Sequence, residues 1–166
     1  MLDRIPLLPC TDPMTSTPLP SSDQPGREAQ SWLDQFEKSL AAGDPLNTLA
    51  LFEPEAFWRD LLAFSWNIVT QEGTAAISHL LRATAARTRL HDLRLRGAPV
   101  SMREGGLQAW FEFSTSSGMG IGQVRLRNGR CWSLFTSLRS LHGHEEPAGP
   151  RREAGTVHEV RPGRVH

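Results

Sequence analysis

The residue types best suited to chemistry lie in two aromatic stretches. The first, FWRDLLAFSWNIVTQEG from Phe57, sets an ionisable pair, Arg59 and Asp60, inside an apolar run. Read as a strand, it places Trp58, Asp60, Leu62 and Phe64 on one face and Phe57, Arg59, Leu61 and Ala63 on the other. The two charges therefore point apart. If the Trp58 face borders a cavity, desolvation makes Asp60 a stronger proton acceptor, which is what a general base needs to move a proton beside a carbonyl. The plainer reading is a carboxylate that pairs with an arginine or caps backbone groups. Arg59, on the opposite face, suits a structural anchor to a helix layer or a partner subunit, because a buried arginine needs a partner.

The second stretch, AWFEFSTSSGMGIGQVRLRNGRCWSLFTSLRSLHGHEE, begins at Ala109. Together the two stretches hold four of the five tryptophans: Trp58, Trp66, Trp110 and Trp132. Large aromatics dominate small cores, but an indole also offers a flat apolar wall with one N–H donor. Trp58, Asp60, Trp66, Trp110 and Trp132 are accordingly the candidate pocket wall, with Asp60 the candidate catalytic group. Alternation would pair Trp110 with Glu112 on one strand face, and Trp132 with Leu134 and Thr136 on one face of another.

Other groups carry less. His79 falls off the apolar stripe of its helix; a histidine near Asp60 could shuttle protons, but a half-exposed surface role is the simpler expectation. The run His142, Gly143, His144, Glu145, Glu146 lacks a standard metal-ligand spacing on a defined element and reads as solvated tail. Gly118, Gly120 and Gly122 invite a phosphate-loop reading, which needs a following helix. Here GQVRLR follows, so a strand or bulge is expected. No residue context assembles a Ser-His-Asp or Cys-His set.

The bulk properties bound the function. At 166 residues, one domain is expected. Net charge is +0 and the pI about 7.0, which gives no electrostatic case for nucleic acid or an anionic membrane as the main partner. Cys10 and Cys131 fall in a Pro-rich leader and a strand-like run, so a disulfide is not expected and a reducing cytoplasm fits. No apolar run reaches the roughly 18 residues of a spanning helix, and MLDRIPLLPCTDPM is a poor signal peptide.

The elements that must position these residues follow from periodicity. Residues 1–28 read as a disordered leader, 29–144 as the folded domain and 145–166 as a tail or linker. Ser31 and Asp34 fit a capping box before a helix with Trp32, Leu33, Phe36 and Leu40 on one stripe, stopped near Gly43. A short helix over residues 48–52 and a strand over 56–64 follow, then a short strand or turn over 67–72. Thr74 can cap a helix to Thr88 whose stripe is Ile77, Leu80, Leu81, Thr84, Ala85 and Thr88. Strands are expected over 91–102, 107–115, 120–127 and 130–141, and Asn128-Gly129 is a strong hairpin signal. This order predicts an α+β domain, helices packed on one curved antiparallel sheet, with the open mouth of the resulting cone as the ligand site.

The order resembles the nuclear transport factor 2-like fold of SnoaL-like polyketide cyclases and ketosteroid isomerases. More narrowly, FWRDLLAFSWNIVTQEG together with CWSLFTSLRSLHGHEEPAGPRR is similar to a module that precedes the flavin- and NAD(P)-binding part of some bacterial flavin-containing monooxygenases. The resemblance spans about Ser31 to Arg152. It implies an accessory module whose FAD and NAD(P) sites belong to a domain not found in this sequence, so no cofactor is assigned to residues of this chain. The expected function is binding of a small apolar molecule or docking onto a flavin-dependent oxidoreductase chain. The alternative is a stand-alone isomerase, cyclase or hydratase with Asp60 as base. Cones of this kind also pair through the open face of the sheet, so a homodimer is expected.

Overall fold

The computed structural model describes residues 24–144. Helix α1 (Gln24–Ala41) and the short α2 (Pro45–Ala50) lead into β1 (Phe52–Leu61) and β2 (Ile68–Glu72). Helix α3 (Gly73–Thr88) crosses to β3 (His91–Leu95), β4 (Val100–Ser101), β5 (Leu107–Ser114), β6 (Gly118–Arg127) and β7 (Arg130–Leu141). The sheet order is β2-β1-β7-β6-β5-β3, with β4 also on β5. All pairings are antiparallel except β1 with β7, which is parallel. The sheet is thus mixed rather than antiparallel throughout. The parallel pair joins strands from opposite ends of the domain, a juxtaposition no local pattern announces.

Several boundaries differ from the sequence reading for local reasons. Helix α1 starts at Gln24, so Ser31 lies inside it and caps nothing; its hydroxyl instead accepts from Gln35 Nε2 at 3.1 Å. Ala29 is fully buried and extends the stripe of Trp32, Leu33 and Phe36 backward, while Pro25 sits in the first turn, where a missing N–H costs little. Residues 24–28 therefore belong to the helix. The remainder of the leader, with Cys10, and the tail from Glu145 lie outside the described residues. Helix α2 is capped by Asp44, whose side chain accepts from Leu46 N and Asn47 N. Helix α3 follows Glu72, which makes no side-chain cap bond, so Thr74 is not the cap. Asn128 and Gly129 take φ of 50° and 73° and close the β6–β7 hairpin, as the dipeptide predicts.

The three helices cover one face of the sheet. Trp32, Leu33 and Phe36 of α1 and Ile77, Leu80 and Leu81 of α3 meet Trp58, Phe111, Phe113, Val124, Leu126 and Leu134 from the strands, all buried. Among the described residues no helix is long and apolar enough to cross a membrane.

Candidate functional site

Asp60 is fully buried at the end of β1, and its carboxyl oxygens accept from four donors. Phe64 N reaches Oδ2 at 3.0 Å, and Ser65 N and Ser65 Oγ reach the same oxygen at 2.8 and 2.7 Å. Thr136 Oγ1 donates to Oδ1 at 2.8 Å and accepts from Trp58 Nε1 at 2.9 Å. The set Trp58, Thr136, Asp60 thus ties β1 to β7, while the two backbone bonds fold the chain back after β1. That turn holds Leu62 and Trp66 at φ of 68° and 58°, a region costly to residues with a Cβ. The two faces of β1 are as alternation predicts: Trp58 and Asp60 point inward, Phe57 and Arg59 outward. Leu62 has left the strand, however, and is exposed.

The four tryptophans do not share a wall. Trp58 is fully buried in the core, stacked on Phe52 at 6.1 Å and edge-on to Phe64 at 4.8 Å. Trp66 is 51 % exposed and borders a small depression with Leu62, Leu138 and Leu141. Trp110 is 41 % exposed on the uncovered face of the sheet and meets Phe135 edge-on at 6.4 Å. Trp132 lies where the β6–β7 register shifts between Arg125 and Leu126. This bulge puts Cys131 and Leu134 both inside, so Trp132 does not share the buried face of Leu134 and Thr136. It is flanked instead by the guanidinium groups of Arg125 and Arg127, 5.5 and 5.4 Å from the ring. His79 is exposed on α3, and His142 packs its Nε2 against Thr115 O at 3.3 Å. Among the described residues no cluster of His, Cys, Asp and Glu could hold a metal ion.

The Gly-x-Gly-x-Gly run is strand β6. Gly120 and Gly122 stand opposite Phe113 and Phe111, and a Cβ on either would lie 2.3 or 2.2 Å from the facing ring. The two phenylalanine rings therefore lie flat across the glycines and fill the interior of the cone, where the aromatic cluster of Trp32, Phe36, Phe52, Trp58 and Phe64 completes it. The open space sits at the helix ends instead. A cleft of about 530 Å3 is lined by Leu40, Ala41, Ala42 and Gly43 from the end of α1, Ala85 and Ala86 from the end of α3, and Phe64, Arg89, Leu90 and His91. A second hollow of about 250 Å3 shares Leu40, Gly43, Ala85 and Ala86 with it and continues toward Pro45 and Thr48. Asp60 lines neither, but the residue it pins, Phe64, is part of the larger cleft. Arg89 and His91 were not singled out from sequence, and Leu40 was read only as part of the apolar stripe of α1. The only signal for Arg89 and His91 was position, just after a helix stop.

No protein-family model matches the sequence, and no curated protein matches it. Solved structures do. Aln2 from a Streptomyces species superposes with a TM-score of 0.57 at 17 % identity, over 73 % of this chain and 94 % of that one. A candidate polyketide cyclase from Xanthomonas campestris pv. campestris gives 0.51 at 14 % identity, over 70 % and 93 %. A nuclear transport factor 2-like protein with a cystatin-like fold from Novosphingobium aromaticivorans gives 0.51 at 14 %, over 69 % and 82 %. The fold is nuclear transport factor 2-like. At these identities the likeness speaks for the architecture alone. In this nuclear transport factor 2-like domain the interior is occupied by aromatic rings, and a cleft of about 530 Å3 opens at the helix ends.

Proposed function

We propose that this chain is a small-molecule-binding domain that takes an apolar ligand in the cleft between the C-terminal ends of α1 and α3. The observation that carries the reading is the cleft itself: Leu40, Ala41, Ala42, Phe64, Ala85, Ala86 and Leu90 give it an apolar surface with only two ionisable groups. A candidate polyketide cyclase of the same fold supports a small-molecule role over a purely structural one. The stand-alone isomerase or cyclase reading, with Asp60 as base, draws on the same likeness. Binding is the better supported part, because the oxygens of Asp60 are occupied by four donors and face no cleft. In this reading Asp60 acts by positioning Phe64.

The test is titration with the uncharged fluorophore N-phenyl-1-naphthylamine. Ala86 is exposed at the cleft, so Ala86→Trp fills the space without entering the core. The variant should bind the fluorophore at least tenfold more weakly than wild type. Equal binding by the two proteins would remove the cleft as the site.

A second reading concerns the uncovered face of the sheet, where Phe57, Trp110 and Met119 are exposed beside Phe135. Exposed aromatic residues on a sheet face are candidate interface contacts. A second copy of the chain is the occupant we favour.

A further inference from the structure

The larger cleft carries a charge pattern that narrows its ligand, on the footing that it is the binding site proposed above. Every ionisable group lining it is basic: Arg89 and His91, with no carboxylate among the ten residues. Arg89 caps α3 and His91 opens β3, and the backbone at this junction is held in an unusual shape. Arg89 ends the helix in the left-handed region at φ 48°, and Asp92 repeats it at φ 56°. Two such residues within four positions are costly and persist only where neighbours enforce them.

The enforcing contacts are visible. The Glu37 carboxyl on α1 accepts from Asp92 N at 2.9 Å and Leu93 N at 3.4 Å. The β3–β5 register shifts between His91 and Arg94, a bulge of the kind that re-aims a side chain. His91 Nδ1 donates to Arg89 O at 2.8 Å, which fixes the ring, and Nε2 lies 3.9 Å from the Asp92 carboxylate. The acidic groups nearby are already engaged: Glu37 by the two backbone N–H groups, Asp92 by Arg94 at 3.8 Å and His91 at 3.9 Å.

The cleft therefore has an apolar floor and a basic rim. Arg89 caps the C-terminal end of α3, where a cation offsets the partial negative charge of the last carbonyl groups, so the guanidinium is the one group there that favours a ligand anion. We infer that the ligand is an amphipathic anion, an apolar molecule bearing one carboxylate, with the Arg89 guanidinium as its recognition group. An arginine fork gives the carboxylate two parallel donors, which a neutral hydroxyl cannot match.

The experiment compares decanoate with decan-1-ol as competitors of N-phenyl-1-naphthylamine on the full chain. Decanoate should compete at least tenfold better on wild type. In the variant Arg89→Gln the preference should vanish while decan-1-ol competes as before; that unchanged competition also shows that the variant is folded. Equal competition by the two compounds on wild type, or a preference that survives in the variant, overturns the carboxylate assignment and leaves the apolar cleft standing. Failure of all three compounds to bind wild type overturns both readings.

Discussion

At the scale of single residues, the chemistry of Asp60 is that of a clamp. A side chain that accepts four hydrogen bonds while fully buried is replaced badly by asparagine, which has one acceptor oxygen and turns an NH2 toward groups that are themselves donors. Asp60→Asn should lower stability by about 2–4 kcal/mol in urea unfolding. A loss under about 0.5 kcal/mol would show that the clamp is not needed. Cys131 makes a second case. Its burial under the sheet pushes the thiol pKa far above the ordinary range, so little thiolate forms at neutral pH and the group is inert in the native state. In a Cys10→Ser background, Cys131 should react with a disulfide reagent such as Ellman's only as fast as the protein unfolds. Prompt stoichiometric labelling of the native protein would contradict its placement.

At the scale of elements, β5 and β6 work as a pair of complementary surfaces. Phe111 and Phe113 occupy the space that a side chain on Gly122 or Gly120 would need. Gly122→Ala forces a fully buried ring to move and should cost about 1–3 kcal/mol, as overpacking of a dense core does. Adding Phe111→Leu to Gly122→Ala should cost less than the sum of the two single changes, since the two residues compete for one volume. Strict additivity in thermal or urea unfolding would refute the pairing. The glycine run that suggests a phosphate loop in sequence is here a strand made thin so that aromatic rings can cross it. The hairpin that follows was legible because Asn-Gly solves a local backbone problem. The bulge at Trp132 was not legible, because it depends on which strand lies opposite.

At the scale of the whole molecule, aromatic rings fill the interior, a cleft opens at the helix ends, and among the described residues no helix covers the other sheet face. Trp110 stands on that face, away from both the core and the cleft. Trp110→Glu should convert a dimer to a monomer in sedimentation equilibrium with a stability change within about 0.5 kcal/mol. A wild-type protein that sediments as a monomer at high concentration would exclude the second copy as occupant. The sequence by itself determined what local physics decides: the apolar stripes of α1 and α3, the inward and outward faces of β1, the Asn-Gly turn, and the element order that yields an α+β cone. Each depends on residues a few positions apart. The tertiary structure alone decided which distant groups meet. Thr136 reaches Asp60 across 76 positions and Trp58 across 78, β7 lies parallel to β1, and Leu40, Phe64, Ala85 and His91 come together around one cleft. Those contacts depend on strand order and helix packing, which no periodicity in the chain encodes.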